Sequence, residues 1–465
     1  MKKTIISLSL AMALGITACD KKLDLEPRQS VDAETALSSA QDVESALIGT
    51  YGVFSGTGGG LADGELYGTN LNLLPELLAS DNYVAWRGSF ASYREVTSRQ
   101  MLATNAEAQR TWITAYQVIN VANNILESLD KVPDANQRTA FEGEAHFLRG
   151  IMYFELVRLF ALPWGATAAN DQPGVPLVLR ATRTQEQAAE TRARNTVAQV
   201  YTQVIDDLTK AAAQMPEENE LRATKFAALA FLSRVYLQQS DYAKALAAAN
   251  QVIESGNYQL NPAVTTVFRN KNTAESVFEI QENTQNNPGT SNDGLTTLYA
   301  SIPAGGAAIG RGDIQVLNEF VATYDSTDAR RKDLFYIGVK GGGSRYYTGK
   351  WADFYANIPV IRLSEMLLTR AECNLRLSTT TGATPAADLN AVRTRAGLAP
   401  IAAPTLANVL NERVKELAFE GLRLHDIKRT KGKTGDFNWN DPKLVLPIPK
   451  REVDANSQLV QNPGY

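Results

Sequence analysis

Aromatic side chains stand beside polar ones in the segment 80–88, and this combination of residue types suits the binding of sugars. Its candidate ligand-binding residues are Asp81, Asn82, Tyr83, Trp86 and Arg87. A pyranose can stack its C–H face on the negative face of an indole or phenol ring. Neighbouring carboxylate, amide and guanidinium groups can hydrogen-bond its hydroxyl groups. Because a glycine-rich run at 56–60 precedes this segment, we expect 55–88 to form a long loop that contacts a ligand.

A second aromatic cluster follows the triple glycine at 341–343. Its candidate ligand-binding residues are Tyr346, Tyr347 and Trp351, and Phe354 and Tyr355 come shortly after them. The surrounding segment 256–350 is rich in Asn, Gly, Thr and Ser, which predicts long loops. We expect this cluster to form a wall that faces the first one.

One pair of carboxylates, Glu416 and Glu420, invites comparison with glycosidases, which place two carboxyl groups beside the scissile bond. The two would share a face of one helix. Arg413 and Arg423 flank them at helical spacing, which predicts neutralising ion pairs rather than the raised pKa of a general acid. We therefore predict no catalytic residues.

The histidines, glycines and cysteines show no spacing typical of a metal or cofactor site. His146 and His425 are the only histidines, and neither belongs to a His-x-x-x-His pair. No Gly-x-Ser-x-Gly elbow and no Walker-type phosphate loop occurs. Cys373 is expected to be a small buried residue on a helix. The sequence therefore predicts neither a metal ion nor a cofactor.

The amino terminus carries the features of a bacterial lipoprotein signal. Lys2 and Lys3 precede an apolar run, 5–16, that is too short to span a bilayer. The run ends in Ile-Thr-Ala-Cys, which predicts a signal peptide at 1–18 and acylation of Cys19. The alternative is an ordinary secretory signal that happens to contain a cysteine. No later stretch is apolar enough for a transmembrane helix, so we expect the remainder to be tethered by lipid.

Apolar residues recur at helical spacing through much of the chain, which predicts a mainly α fold with minor β structure. The predicted helices cover 112–129, 141–160, 197–215, 225–239, 242–255, 361–377 and 409–429. One pair of helices places Leu232, Tyr236, Ala245 and Ala249 at the large and small positions of a tetratricopeptide unit. We expect tetratricopeptide-like helix pairs to form the scaffold.

Length and charge fit one large domain. We expect a single domain at 19–465, made of a helical half, 19–255, and a second half, 256–465, that holds the loop-rich region. The 465-residue chain has a net charge of −4, with acidic and basic residues mixed throughout. This distribution does not favour nucleic acid as a partner.

Five ordered blocks give the chain a specific resemblance. They are 144–160 (EAHFLRGIMYFELVRLF), 361–372 (IRLSEMLLTRAE), 389–398 (LNAVRTRAGL), 416–423 (ELAFEGLR) and the terminus, 446–456 with 461–465. Together with the lipobox, these blocks resemble the SusD/RagB family of outer-membrane nutrient-binding lipoproteins. The resemblance spans the chain and implies a mostly helical, tetratricopeptide-like fold. It also implies an outward-facing, lipid-anchored protein whose partner is a TonB-dependent transporter of the SusC type.

The resemblance further implies that the protein captures oligosaccharides and passes them on unaltered. Peptides are the alternative cargo, since Arg87, Arg311 and Arg345 in loops could contact carbonyl or carboxylate groups. A surface glycosidase is a third hypothesis, which release of reducing sugar by the purified protein would establish. In this family the loop after the helix equivalent to 71–78 often contacts the ligand. A Lys-Trp step like the one ending at Trp351 recurs as a structural strand, so Trp351 has a structural interpretation beside the ligand-binding one.

Overall fold

The structure is a computed structural model that describes residues 36–55, 66–285, 287–288, 293–303 and 306–465. The predicted signal peptide at 1–18, Cys19 and the glycine run at 56–60 lie outside these residues. Within them, no helix is both long and apolar enough to cross a membrane.

Helices make up most of the regular structure. In chain order they are α1 (Ala40–Ser55), α2 (Asn70–Leu78), α3 (Ala91–Ser98), α4 (Ala106–Leu126), α5 (Ala135–Phe160), α6 (Gln185–Ala188), α7 (Val197–Gln214), α8 (Lys225–Gln238), α9 (Tyr242–Glu254), α10 (Leu295–Tyr299), α11 (Asn318–Val321), α12 (Ala329–Asp333), α13 (Leu363–Leu377), α14 (Pro385–Arg395), α15 (Leu406–Glu416), α16 (Arg423–Arg429) and α17 (Lys450–Ala455). The predicted mainly α fold class is confirmed.

Short strands form a minor part of the fold. They are β1 (Val84–Trp86), β2 (Ser276–Ile280), β3 (Ile302–Pro303), β4 (Ile314–Val316), β5 (Phe335–Lys340), β6 (Gly343–Thr348), β7 (Ile358–Arg362), β8 (Lys433–Thr434) and β9 (Phe437–Asn438). One antiparallel sheet has the order β1-β4-β6-β5-β3, while β2 pairs with β7 and β8 with β9. Strands therefore occupy part of 256–350, where the composition predicts long loops.

The long helices follow the predicted spacing, and side-chain caps set where they begin. α7, α8 and α9 begin at the predicted residues and end one residue before the predicted ends. The Thr196 hydroxyl accepts the Gln199 amide N–H at the start of α7, and the Gln199 side chain returns the bond. α4 begins earlier than the predicted residue 112, because the Asn105 side chain accepts two backbone N–H groups of its first turn.

The single helix predicted over 409–429 is wrong, because left-handed residues interrupt it. α15 ends at Glu416 and α16 begins at Arg423, and between them Phe419 has φ 66° and Gly421 has φ 75°. Residues in this conformation cannot continue a right-handed helix. Gly421 also lies close to α2, where an added Cβ atom would stand 2.7 Å from a backbone oxygen. The resulting turn directs the Phe419 ring into the core, where it is 1% exposed.

The predicted tetratricopeptide-like pair is present as α8 and α9. Ala245 and Ala249 on α9 are fully buried, and Leu232 on α8 is nearly so. Small residues let the two helices approach closely, while the half-buried ring of Tyr236 packs against the core beside them. α9 packs in turn on α13, and α13 packs on α14 and α15. Helix pairs therefore form the scaffold beside the sheets.

A buried ion network, which we call the Arg362 network, links β7 to the turn after α15. The Arg362 guanidinium donates to Glu275 at 2.6 Å, to Glu416 at 3.0 Å and to both oxygens of Glu420 at 2.8 and 2.9 Å. Lys350 Nζ donates to Glu420 Oε1 at 2.6 Å and to the Glu416 carbonyl at 2.7 Å. Every one of these side chains is at most 6% exposed. Because the charges are out of water, each depends on its partners.

Replacing the central cation tests this dependence. Arg362→Ala should lower the free energy of unfolding by about 3–5 kcal/mol, since it leaves buried carboxylates without their partner. Arg451→Ala is the control, because the Arg451 side chain is 62% exposed and its pair with Glu452 should contribute less than about 1 kcal/mol. Urea titration measures both. Equal effects of the two substitutions would contradict the role of the Arg362 network.

The helix α2 is wholly buried and contains a buried carboxyl group, that of Glu76. All nine residues of α2 are buried, and Glu76 is 0% exposed. Burial raises the pKa of Glu76 to about 7, although hydrogen bonding from the Tyr83 hydroxyl and the charge of Arg423 oppose the shift. The Arg423 backbone N–H also lies 3.4 Å from Glu76 Oε1. The carboxyl group therefore changes charge near neutral pH.

The free energy of unfolding should consequently fall as the Glu76 carboxyl group ionises. Because its pKa is about 7 in the folded state and 4.5 as an ordinary glutamate, its contribution is fully present below pH 4.5 and lost as pH rises through 7. Glu76→Gln removes this loss. The unfolding free energy of the variant relative to wild type should rise by up to about 3 kcal/mol over that pH range. A difference that stays constant with pH in denaturant titrations would refute the raised pKa.

Candidate ligand-binding site

The five-stranded sheet brings the two predicted aromatic segments together. β1 belongs to the first segment, and Ala85 pairs with Gln315 of β4. β6 belongs to the second, and Tyr346 pairs with Val316 on the other edge of β4. Neighbouring strands lie about 4.8 Å apart, so only one strand's width separates the segments. The two segments therefore lie close together as parts of one sheet, rather than as the facing walls expected from the sequence.

Six polar residues form one connected surface on and beside this sheet, which we call the polar sheet face. They are Arg87, Arg311, Asp313, Gln315, Lys340 and Arg345. Arg87 Nε donates to Gln315 Oε1 at 2.9 Å, and its backbone N–H donates to the Asp313 carbonyl at 2.6 Å. Asp313 is 1% exposed and forms ion pairs with Arg311 and Lys340. One buried anion thus anchors a surface that carries several cationic side chains.

An additional aromatic ring lies at the edge of the polar sheet face. The Phe90 ring is half-buried, and the Arg311 guanidinium carbon lies 4.6 Å from its centroid. Phe90, Asp313, Gln315 and Lys340 are not among the residues predicted from the sequence. Phe90 comes just after segment 80–88 and could have been found by a wider window. Gln315 could not, since strand pairing alone joins it to Arg87 across 228 positions.

Four of the five predicted aromatic residues are buried, and three of them are almost completely enclosed. Tyr83 and Tyr347 are 0% exposed and Trp351 is 4% exposed. Tyr83 stacks on Phe419 with ring centroids 5.1 Å apart, and its hydroxyl accepts the Phe419 N–H at 2.6 Å. Trp351 Nε1 donates to the Phe419 carbonyl at 2.9 Å. The expectation that Tyr83 and Tyr347 stand in open loops is therefore wrong, and the burial of Trp351 agrees with its structural interpretation.

Trp86 and Tyr346 lie on the sheet face opposite to the polar sheet face, since side chains alternate along a strand. Trp86 is 9% exposed, and its ring lies 4.8 Å from that of Tyr93. Tyr346 is half-buried and pairs across the strands with Ile337, which is 40% exposed. Ligand contact by Trp86 and Tyr346 stays a prediction, and Tyr346 has the more accessible ring.

Asp81 and Asn82 shape the turn that precedes β1. Asp81 forms an ion pair with Arg99 and accepts a hydrogen bond from Thr434 Oγ1 at 2.9 Å, while its side chain remains 32% exposed. Asn82 is exposed and has φ 52°, a left-handed conformation that Asn adopts more readily than most residues. Ligand contact by these two residues also stays a prediction.

A short helix links the polar sheet face to an exposed aromatic turn. The backbone N–H groups of Arg311 and Asp313 donate to carbonyls of α10 at 2.7 and 2.8 Å. Thr296 Oγ1 of the same helix donates to the Asp353 carbonyl at 3.0 Å. Tyr355, two residues further on, is 44% exposed. Since a five-residue helix is about 7 Å long, the exposed ring and the polar sheet face lie near each other.

Glu416 and Glu420 are neutralised, as predicted, but not by the arginines that flank them in sequence. Arg362 pairs with both, and Arg330 and Arg395 pair with Glu416. Burial raises the pKa of Glu416, but the guanidinium groups of Arg395, Arg362 and Arg330 outweigh it and hold that pKa well below its usual value. A glycosidase acid needs the opposite shift.

The histidines and Cys373 are buried. His146 Nδ1 lies 2.8 Å from Asp207 Oδ1 in the core, and burial lowers the pKa of His425 well below its usual value. Burial raises the pKa of the Cys373 thiol to about 12. In the part of the chain that the structure describes, no three His, Cys, Asp or Glu side chains are grouped to hold a metal ion.

A separate open groove lies beside α4 and α17, with a volume of about 380 Å³. Its walls include Trp112, Tyr116, Val178 and Leu459. Trp112 is 3% exposed, and the Tyr116 hydroxyl already donates to the Pro176 carbonyl at 2.7 Å. Polar residues such as Asn120, Arg192 and Glu452 complete the lining, so the groove combines apolar and polar walls.

Two family models match the sequence. Residues 24–237 match a model described as "Starch-binding associating with outer membrane". Residues 347–444 match a second model, described as "SusD family". The matched ranges include segment 80–88, the first helix of the tetratricopeptide-like pair up to residue 237, and most of the Arg362 network.

Relatives match along almost the whole chain. SusD-like protein P2 of Formosa agariphila is 26% identical, with 100% of both chains covered. Starch-binding protein SusD of Bacteroides thetaiotaomicron is 23% identical, with 99% of this chain and 98% of the relative covered. A crystal structure of a SusD superfamily protein from Bacteroides thetaiotaomicron is 26% identical and superposes with a TM-score of 0.80, covering 91% of this chain and 100% of the other.

Proposed function

This chain belongs to the SusD/RagB family, and we propose that it is a cell-surface protein that binds glycans without altering them. The family description names starch binding and association with the outer membrane. A relative that matches nearly end to end is a starch-binding protein. Both observations support a glycan as the ligand.

The proposal rests mainly on the polar sheet face and the exposed Tyr355 ring beside it. A tyrosine ring offers a stacking surface to a pyranose, and the guanidinium, ammonium and amide groups offer donors to its hydroxyl groups. Asp313 fixes Arg311 and Lys340 before any ligand arrives. Groups that are already ordered lose less entropy on binding, so they favour recognition.

Delivery to a TonB-dependent transporter of the SusC type completes the proposed role, and family membership supports it. A carrier that hands its cargo onward must release it, so moderate affinity suits this role. The lowered pKa of Glu416 supports binding without hydrolysis of the glycan, because it keeps that carboxylate from acting as a general acid.

Single substitutions test the location of the site. Tyr355→Ala and Arg87→Ala should each weaken oligosaccharide binding about tenfold, because they remove the stacking ring and one donor of the polar sheet face. Tyr242→Ala is the matched control: this ring lies on α9, far along the scaffold, with the Arg376 guanidinium 4.6 Å from its centroid. A glycan array identifies the ligand, and calorimetry then compares the affinity of each of the three variants with that of the wild-type protein.

The control variant and the glycan array show whether the ligand is a glycan and whether it binds at the polar sheet face. An unchanged affinity for Tyr242→Ala together with losses for the other two supports the proposal. If the protein binds peptides and no glycan on the array, the glycan proposal fails. If glycans bind and the three variants do so equally, the site lies elsewhere.

Lipid anchoring at the outer membrane is tested with the two cysteines. Cys19→Ala should move the protein from the membrane fraction to the soluble fraction, because no acyl chain can then be attached. Cys373→Ala is the control, since Cys373 is fully buried in the folded domain and should leave fractionation unchanged. Labelling with a fatty acid in cells reads out the modification directly. Continued labelling of the Cys19→Ala protein would contradict the predicted anchor.

A further inference from the structure

A small cavity lies beside α10, next to the turn that carries Tyr355. Its volume is about 20 Å³, enough for one water-sized group. Its walls include Glu282, Leu295, Thr296, Trp351, Phe354 and Asn357. Leu295 and Thr296 belong to α10, which links the cavity to the polar sheet face.

Glu282 lines this cavity, and its carboxyl group has no hydrogen-bond partner. Glu282 is 4% exposed, and neither of its side-chain oxygens is bonded. Its backbone is satisfied, since its N–H donates to Asn357 Oδ1 at 2.9 Å and its carbonyl accepts from Lys271 Nζ. Buried polar side chains in native proteins almost always have partners. The unsatisfied carboxyl beside a water-sized space therefore indicates a group that enters from outside.

Burial, rather than neighbouring charge, keeps this carboxyl group protonated at pH 7. Burial raises the pKa of Glu282 to about 9, against the opposing charge of Lys271. Lys350 also lines the cavity, but its ammonium group is bonded to Glu420 and the Glu416 carbonyl. Asp353 lines it from an exposed position. A protonated carboxyl has one O–H donor and one carbonyl acceptor.

We propose that this cavity receives a neutral hydroxyl group of the bound glycan, which Glu282 holds by donating one hydrogen bond and accepting another. This inference rests on the proposed function. A hydroxyl group also donates and accepts, and it is about as large as a water molecule. A carboxylate or sulfate group is larger than the cavity, so the sugar at this position carries a hydroxymethyl or ring hydroxyl rather than an acidic group. The exposed ring of Tyr355, between two lining residues, stands where it can stack on that sugar.

Two substitutions at Glu282 separate this role from a charged one. Glu282→Gln keeps a donor and an acceptor in the same shape, so affinity for the oligosaccharide should stay within about twofold of wild type. Glu282→Leu removes both and should lower the affinity about tenfold or more, because the bound hydroxyl is left without partners. The probes are neutral malto-, cello- and laminari-oligosaccharides together with their C6-oxidised forms, measured by calorimetry.

The pH profile supplies an arm that does not depend on the Leu variant folding. Wild-type affinity should fall as pH rises past about 9, where Glu282 loses its proton, while the affinity of Glu282→Gln should not show this fall. Lys271, Lys350 and Asp353 are present in both proteins, so a difference between the two pH profiles reports Glu282.

Each outcome has one meaning. Loss of binding in Glu282→Gln, equal binding of Glu282→Leu and wild type, or preference for the C6-oxidised sugars overturns the inference while glycan binding itself stands. If no oligosaccharide binds the wild-type protein, the proposed function fails and this inference fails with it.

Discussion

The Arg362 network fixes the part of the molecule on which the candidate site depends. Arg362 joins the strand pair β2–β7 to the turn after α15, and Lys350, the residue before Trp351, donates to the carboxylate of Glu420. Trp351 in turn donates to the carbonyl of Phe419. Because charges buried this deeply are costly without partners, the segments that carry them are held in one arrangement. The turn of Tyr355 and the walls of the Glu282 cavity lie between these fixed points.

Rigidity of this kind suits a protein that captures and releases a sugar. The donors of the polar sheet face are ordered by Asp313, and the α10 backbone holds the segment 311–313 through two hydrogen bonds. Binding then costs little ordering of the protein, so a modest number of contacts gives useful affinity. A small number of contacts near the surface would also suit a ligand that must be released again. The same buried ion pairs that stabilise the fold also keep Glu416 ionised, which removes the most plausible acid from glycosidase chemistry.

Much of the scaffold could be predicted from the sequence, because helices are local structures. Apolar spacing predicted α7, α8 and α9 almost to the residue. The small residues Ala245 and Ala249 predicted the close packing of α9 on α8. Neutralisation of Glu416 was also predictable, but its partners were not. Arg413 is only three residues from Glu416 yet pairs with Glu365 and Asp426, whereas Glu416 pairs with Arg362 from 54 positions away. Local spacing identifies that a charge needs a partner, and only the tertiary fold decides which one.

The candidate site was harder to predict, since aromatic residues near glycines occur both in loops and in cores. Tyr83 and Trp351 belong to segments whose composition is typical of a binding loop. The left-handed turn at Phe419 nevertheless encloses both rings. A crystal structure of the protein with a bound oligosaccharide would locate the ligand directly. We expect sugar density against Tyr355 and Arg87, with the intervening α10 beside it. Density in the groove beside α4 and α17, with the polar sheet face left unbound, would contradict this expectation.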